Sequence, residues 1–171
     1  MKASPENARF SSVILPHLDA AYNLARWLCG NDQDARDIAQ EAAFRALRSF
    51  DTYRGGDAKS WLLTITRNTA FNWLRRSNRF VELQEESLEV QNVVTSDASP
   101  DRAMIREAET AAVNQAIEAL PPEYREVIVM REMEGMSYRE ISQITGSPLG
   151  TVMSRLSRGR ERLKILLLRR L

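Results

Sequence analysis

Apolar positions recur every three or four residues along most of this 171-residue chain, with turn signals between the stretches. That spacing is typical of amphipathic helices, and no alternation typical of paired strands appears. The pattern predicts helices over about residues 10–29, 33–49, 58–78, 103–119, 122–134, 137–145 and 148–169. The tract EESLEVQNVVTSDASPD, residues 85–101, has acids, serines and a proline but no helical stripe, and therefore predicts a linker.

These elements predict an all-α fold of two small helical domains joined by an acidic flexible linker. We place the domain boundaries at 1–80, 81–111 for the linker, and 112–171.

Two helices joined by a tight turn are predicted within residues 137–160, SYREISQITGSPLGTVMSRLSRGR. Ser137 and Glu140 have the spacing of a capping box, which starts a helix. Gly146 supplies the left-handed conformation that ends it. Ser147 as cap and Pro148 at the first helical position open the next helix. The C-terminal domain is therefore predicted to contain a helix-turn-helix.

The second of these helices has an apolar and a basic side. Leu149, Val152, Leu156 and Leu163 fall on one stripe; Thr151, Ser154, Arg158 and Arg162 fall opposite, with Ser147 at the helix start and Arg155 nearby. Such a helix fits the DNA major groove, where early residues contact bases and arginines hold phosphates. An amphipathic hairpin with a solvated charged side remains an alternative on this stretch alone.

Charge is segregated along the chain although the formal net charge is only +1. Residues 146–171 hold seven Arg or Lys against one acid, and residues 61–80 hold four arginines and no acid. Residues 81–109 hold eight acids against two arginines. Two basic surfaces separated by an acidic stretch are therefore expected.

The sequence disfavours several other classes of protein. Cys29 is the only cysteine and His17 the only histidine, so the chain offers no internal disulfide and no thiolate or imidazole zinc site. We expect no metal, no cofactor and no enzymatic activity, and we expect Cys29 to be a small core residue. The polar start MKASPENARF and the lack of a long apolar run predict a cytoplasmic protein without membrane insertion.

Two helices of the N-terminal domain have unusual outer sides. On the helix at 34–48, Ala35, Ile38, Ala39 and Ala42 form the apolar side, and Asp37, Gln40, Glu41 and Phe44 gather opposite. An aromatic residue among acids fits docking of a basic partner helix, with packing of Phe44 against a neighbouring helix as the alternative.

The second case is SWLLTITRNTAFNWLRR, residues 60–76, where Leu62, Ile65, Thr69 and Trp73 share one side and Arg67, Asn68, Phe71 and Arg75 lie opposite. An aromatic ring among arginines suits unstacked bases and their phosphates. The preceding loop, with Tyr53, Arg54 and two glycines, has the flexibility to enclose a flipped base. Packing of Phe71 and an ordinary turn at Gly55 and Gly56 remain open alternatives.

Taken together, DARDIAQEAAFRAL, SWLLTITRNTAFNWLRR and LPPEYREVIVMREMEGMSYREISQITGSPLGTVMSRLSRGRERL, with the acidic tract between them, resemble a small bacterial sigma factor of the extracytoplasmic-function (ECF) group. The resemblance covers both domains in order. It implies a transcription initiation subunit that brings core RNA polymerase to promoters and opens the duplex. The implied partners are the clamp coiled coil of the largest polymerase subunit, the flap of the second largest, promoter DNA and an anti-sigma factor.

The resemblance also implies roles for particular residues. Asp37, Gln40 and Glu41, with Phe44 beside them, match the part of the family that binds the clamp. Trp61, Asn68, Phe71, Asn72, Arg75 and Arg76, with Arg67 and the loop from Tyr53 and Arg54 to Lys59, match the part that recognises and melts the −10 element. The helix-turn-helix matches the reader of the −35 element.

One position of the second helix departs from the family. Met153 stands where the family usually has Lys or Arg, and its place on the helical wheel favours packing at the core edge.

A helix-turn-helix transcriptional regulator with an N-terminal sensing or dimerisation domain is the alternative function. Such a regulator has no need of the acidic and basic sides of the N-terminal domain.

Overall fold

A computed structural model describes residues 5–77 and 102–169, and every regular element in those ranges is helical. The N-terminal lobe contains α1 (Pro5–Ile14), α2 (Leu18–Cys29), α3 (Asp32–Arg48) and α4 (Ala58–Arg76). The C-terminal lobe contains α5 (Arg102–Glu118), α6 (Pro122–Ile128), α7 (Tyr138–Thr145) and α8 (Leu149–Leu168), with one π-helical turn (Val129–Met133) after α6. The predicted all-α class with two helical lobes is confirmed.

Local sequence signals account for most helix ends. Gly30, with φ of 85°, ends α2, and its N–H donates to the Arg26 carbonyl at 3.0 Å. The Asn31 side chain then caps α3 by accepting from the Asp34 N–H at 2.9 Å. The predicted single helix over 10–29 is wrong, because a 3₁₀ turn at Leu15–His17 separates α1 from α2. Pro16 lies in that turn and has no N–H to continue an α-helix.

The linker predicted over residues 81–111 lies mostly outside the described residues. Residues 81–101 lie outside them, whereas residues 102–111 form the first turns of α5. The helix predicted over 103–119 therefore starts where expected, within the stretch assigned to the linker.

The two lobes pack against each other through a shared apolar core. Helix α2 contacts α6, and α4 contacts α7. Leu24, Leu28 and Phe71 of the N-terminal lobe belong to the same buried cluster as Leu120 and Val127 of the C-terminal lobe. A smaller cluster around Phe10, Phe50 and Leu62 stays within the N-terminal lobe. The sequence did not predict that the lobes share a core.

Candidate nucleic-acid interface

The polar side of α3 is free of packing, as predicted. Asp37, Gln40, Glu41 and Phe44 are all exposed, and the Phe44 side chain is 55% accessible. Ala35, Ile38 and Ala42 are fully buried on the opposite side, which fixes the rotation of the helix. The alternative that Phe44 packs against a neighbouring helix is therefore wrong. An exposed ring of this size among acids is typical of an interaction surface.

A cleft of about 230 Å³ joins the acidic side of α3 to α4. Its lining combines acids and apolar groups of α3 with polar and basic groups of α4: Asp37, Ile38, Glu41, Arg45, Thr69, Asn72, Trp73 and Arg76. The Arg45 guanidinium donates to the Glu41 carboxylate at 2.7 Å. The two predicted interaction surfaces of the N-terminal lobe thus adjoin one another.

On α4, four of the predicted DNA-contacting residues are exposed: Asn68, Asn72, Arg75 and Arg76. They cover the C-terminal half of the helix, and no acid of α4 lies among them. Amide and guanidinium groups offer donors to base edges and to phosphates.

Phe71 is not exposed, contrary to the interpretation that it stacks on bases. Only 3% of it is accessible, because the C-terminal lobe packs over this part of α4. Arg67 lies over its ring, with the guanidinium carbon 4.2 Å from the ring centroid. Arg67 also donates two hydrogen bonds to the Glu126 carboxylate, at 2.8 and 3.1 Å. In this arrangement neither Arg67 nor Phe71 is available to DNA.

The loop before α4 is held by an aromatic cluster. Tyr53 is 9% accessible, and its hydroxyl donates to the Gly56 carbonyl at 2.7 Å. Trp61 is half-buried, with its ring centroid 5.3 Å from that of Tyr53, whereas Arg54 is exposed. The Tyr53 ring also stacks on Phe50, so in this arrangement it is not accessible to a base.

Asp57 fixes the junction of this loop with α4. Its carboxylate caps the helix by accepting from the Lys59 N–H at 3.0 Å and from the Ser60 hydroxyl. Burial acts to raise the pKa of Asp57, but these hydrogen bonds outweigh it and leave the pKa below its ordinary value.

The helix-turn-helix forms as predicted except at one cap. The Ser137 N–H donates to the Glu140 carboxylate at 2.6 Å and the Glu140 N–H donates to the Ser137 hydroxyl at 3.2 Å, completing the capping box. Gly146 ends α7 with φ of 66°. The cap of α8 is Pro148 rather than Ser147, so the expected serine cap is wrong. The Ser147 hydroxyl instead accepts from Arg155 at 3.2 Å.

The outer side of α8 presents the predicted polar and basic residues. Ser154, Arg158 and Arg162 are exposed, and Ser147, Thr151 and Arg155 are half-buried. Val152 and Leu156 are buried, as expected for the packing stripe. The packing roles expected for Leu149 and Met153 are wrong, since they are 46% and 50% accessible. They lie four residues apart on one edge of the helix, outside the buried stripe.

Glu126 is an acid that the sequence reasoning missed. It is fully buried on α6, and besides Arg67 its nearest charged neighbour is Arg155 at 3.8 Å. Burial raises the pKa of Glu126, against the opposing effect of the Arg67 hydrogen bonds. The sequence did contain a signal, because Glu126 directly adjoins the apolar residues VIVM. An acid beside a run of core residues indicates burial, and a buried acid almost always has a cationic partner.

Within residues 5–77 and 102–169, no group of three or more His, Cys, Asp or Glu side chains is arranged to hold a metal ion. Cys29 is buried, which raises the pKa of its thiol and fits the predicted core role. No helix in the described part of the chain has the length and apolar character needed to span a bilayer.

Comparison with known proteins identifies the two lobes. The Sigma-70 region 2 family profile matches residues 13–80, and the Sigma-70, region 4 profile matches residues 110–163. The RNA polymerase sigma-H factor of Pseudomonas aeruginosa is 38% identical over 89% of this chain and 82% of its own length. The ECF RNA polymerase sigma-E factor of Escherichia coli is 38% identical over 75% of this chain and 71% of its own length.

Another relative is longer. The ECF RNA polymerase sigma factor SigE of Mycolicibacterium smegmatis is 35% identical over 91% of this chain, which spans only 60% of that relative.

Solved structures show the same fold. The sigma factor RpoE of Bartonella quintana, in complex with the anti-sigma factor NepR, matches with a TM-score of 0.70 and 28% identity over 93% of this chain and 96% of its own. CnrH, in complex with the cytosolic domain of CnrY, matches with a TM-score of 0.66 and 23% identity over 96% of this chain and 90% of its own. The matched regions follow the order of the two lobes. The chain thus belongs to the ECF group of bacterial RNA polymerase sigma factors.

Proposed function

We propose that this chain binds core RNA polymerase, directs it to promoters that carry −35 and −10 elements, and promotes melting of the duplex. The proposal rests on the observation that one chain has three exposed surfaces of different chemistry. These are the acidic and aromatic side of α3, the asparagine and arginine side of α4, and the basic side of α8. Initiation requires contacts to polymerase and to both promoter elements, and these surfaces match that requirement.

The proposed polymerase contact is made by Asp37, Gln40, Glu41 and Phe44, which dock on the clamp coiled coil of the largest subunit. Phe44 serves as the apolar anchor, and the acids pair with basic groups around it. An open apolar groove between α6 and α8, lined by Ile128, Leu163, Leu167 and Leu168, suits the flap of the second largest subunit.

The proposed −10 contact involves residues of α4 and the loop before it: Tyr53, Arg54, Trp61, Arg67, Asn68, Phe71, Asn72, Arg75 and Arg76. Arginines follow the phosphates of the melted strand, and the asparagines read the edges of bases that have left the stack. Arg54 and the exposed residues of α4 are accessible in the present arrangement. Arg67, Phe71 and Tyr53 contact DNA only after their present contacts have been released.

The proposed −35 contact places α8 in the major groove. Ser147, Thr151 and Ser154 lie toward its N-terminal end, near base edges, and Arg155, Arg158 and Arg162 follow along the helix. Met153 is exposed beside them, so a methionine replaces a basic contact of the family at this surface.

The alternative of a regulator with a sensing or dimerisation domain has little support, because the segment that such a domain would occupy is the one that matches region 2. We infer that the chain acts in the cytoplasm, as a factor without enzymatic activity of its own. The structural relative from Bartonella quintana was solved with an anti-sigma factor, and we propose that such a protein regulates this chain as well.

Charge reversal on α3 tests the proposal. The double variant Asp37→Arg, Glu41→Arg should bind purified core RNA polymerase about a hundredfold more weakly or worse, since juxtaposed like charges cost several kcal/mol. Binding is measured by fluorescence anisotropy of the labelled chain. The matched control is Glu6→Arg with Asp19→Arg, which reverses two exposed acids elsewhere in the N-terminal lobe. Equal affinity of the two double variants would contradict the docking assignment.

A further inference from the structure

Two large apolar side chains are exposed at the start of α8. Leu149 and Met153 both lie outside the stripe that Val152 and Leu156 bury in the C-terminal lobe. Residues four apart on a helix are neighbours, and helical side chains lean toward the N-terminus, so Met153 extends toward the turn that contains Leu149. We call Leu149 and Met153 together the apolar edge of α8.

The residues beside the apolar edge are small. Gly150, Ser154 and Ser157 are the other exposed residues of 149–157. A Cβ atom at Gly150 would meet no atom within 4 Å apart from the backbone of its own helix. This side of the helix is therefore able to approach another surface closely, and the apolar edge supplies its largest side chains.

The polar groups at this end of α8 are partly used within the lobe. The Ser154 hydroxyl donates to the Thr151 carbonyl at 3.0 Å. Arg155 Nη1 donates to the Ser147 hydroxyl at 3.2 Å and lies 3.8 Å from the Glu126 carboxylate. These internal contacts reduce the hydrogen-bonding capacity that is left for a base, whereas the apolar edge remains exposed.

The charges around the apolar edge fit DNA. No acid occurs among residues 149–156, and Arg158 and Arg162 are exposed farther along the helix. Arginines in such positions contact phosphates and fix the helix in the groove. In a helix-turn-helix, the residues near the start of the second helix then meet the base edges. The apolar edge lies at that place in the proposed −35 contact.

Only one base presents a methyl group in the major groove. Thymine carries it at C5, whereas guanine offers two acceptors that pair with arginine. Leucine and methionine side chains have no N–H or O–H donor, so they gain affinity by burying an apolar group. We propose that Met153, with Leu149 beside it, selects thymine at one position of the −35 element by contact with the C5-methyl group. This inference rests on the proposed function, because it names the base that the same surface of α8 reads.

Selection of duplexes tests which base Met153 reads. The probe is a promoter that wild-type holoenzyme transcribes, with its −35 element randomised, and the bound duplexes are sequenced. Wild-type holoenzyme should enrich thymine at one position or more. Met153→Ala should lose this enrichment at one position and keep the other preferences, and Leu149→Ala should weaken it at the same position. Met153→Arg should enrich guanine there instead.

The matched control is Met104→Ala, which removes an exposed methionine of α5, outside the helix-turn-helix. This variant should enrich the same sequences as wild type. Leu149 and Met153 are exposed as well, so their alanine variants should unfold thermally at nearly the wild-type temperature. Thermal unfolding followed by circular dichroism checks that all of the variants are folded.

Replacement of the selected thymine by deoxyuridine measures the methyl contact directly. Deoxyuridine lacks the C5-methyl group and keeps the O4 acceptor and the pairing with adenine. Wild-type holoenzyme should bind the deoxyuridine duplex about fourfold more weakly, which corresponds to the ~0.8 kcal/mol expected for one buried methyl-sized group. Met153→Ala holoenzyme should bind the two duplexes equally. Fluorescence anisotropy of the labelled duplex measures both affinities.

The outcomes separate this inference from the proposed function. Equal binding of both duplexes by wild-type holoenzyme would overturn the inference, and so would an equal loss in wild type and Met153→Ala, because another residue would then contact the methyl group. The same base preferences in wild type and Met153→Ala would also overturn it. All three results leave the −35 contact of α8 in place. If wild-type holoenzyme selected no −35 sequence at all, the proposed −35 contact would itself be wrong, and the inference with it.

Discussion

Asn68 and Phe71 lie three residues apart on α4, yet their surroundings differ. A helical wheel places both on the side opposite Leu62 and Ile65, and the sequence therefore groups them. Whether that side faces water depends on what packs over it, and here Arg67 and the C-terminal lobe cover Phe71 but leave Asn68 exposed. Periodicity within one helix contains no information about such a distant partner.

This difference predicts effects of very different size on the free energy of unfolding. Phe71→Ala should lower the free energy of unfolding by about 3–5 kcal/mol, because it removes a buried ring from a shared core. Asn68→Ala should change it by no more than about 0.5 kcal/mol, as expected of an exposed position. Urea denaturation followed by circular dichroism measures both. A small loss for Phe71→Ala would mean that the ring is not part of the core in solution.

At the scale of single elements, the sequence predicted well wherever the signal was local. The capping box at Ser137 and the left-handed Gly146 set the ends of α7 through hydrogen bonds and backbone angles within a few residues. The apolar spacing of α8 correctly identified Val152 and Leu156 as buried, but Leu149 and Met153 on the edge of the stripe were misplaced. Whether a residue at the edge of the apolar stripe is buried depends on how far the neighbouring helix extends over it. The sequence of one helix contains no information about that extent.

The contact between α6 and α8 depends on a glycine. A Cβ atom at Gly159 would lie 3.0 Å from Ile128 Cγ1 and 3.3 Å from Ile128 Cδ1, and Ile128 is itself buried. Gly159→Leu should therefore lower the free energy of unfolding by about 1–3 kcal/mol through overpacking. Gly150→Ala is the matched control, because a Cβ atom at Gly150 would meet no atom within 4 Å apart from the backbone of its own helix. Alanine has the higher helix propensity, so this variant should raise the free energy of unfolding by up to about 1 kcal/mol. Thermal unfolding measures both. A Gly159→Leu protein as stable as wild type would contradict the close approach of the two helices.

The outer side of α8 makes a prediction about salt dependence. Arg158→Ala holoenzyme should bind promoter duplex more weakly, and its plot of log affinity against log salt should be shallower by about one unit, if Arg158 neutralises one phosphate. If it reads a base instead, the loss is about 1–3 kcal/mol at one position of the −35 element. Arg106→Ala, which removes an exposed arginine of α5, is the control and should change neither quantity. Affinity and slope equal to wild type would place Arg158 outside the interface.

For the whole molecule, the sequence correctly indicated two helical lobes with separate basic surfaces, but not their packing against each other. Arg67 and Glu126 are 59 residues apart in the chain, and each is one of many charged residues that could have paired. The choice among such pairs follows from the fit of two apolar surfaces, a property of the folded lobes rather than of any local stretch. For this reason the sequence alone could not predict that Phe71 and Arg67 are buried, and hence that they are not accessible to DNA in this arrangement.

Promoter opening tests how the whole molecule uses this surface. Asn68→Ala holoenzyme should still bind a duplex that carries both promoter elements, because the −35 contact and the polymerase contact remain. It should form fewer open complexes, measured by permanganate reactivity of thymines, since the hydrogen bond from Asn68 forms only with a base that has left the stack. A template with a pre-melted bubble should restore transcription only in part, because the unstacking cost is removed while the lost contact is not. Asn114→Ala, an exposed asparagine of α5, is the control and should open the promoter as wild type does. Opening by Asn68→Ala holoenzyme at the wild-type rate would move the melting role from α4 to the loop between Tyr53 and Lys59.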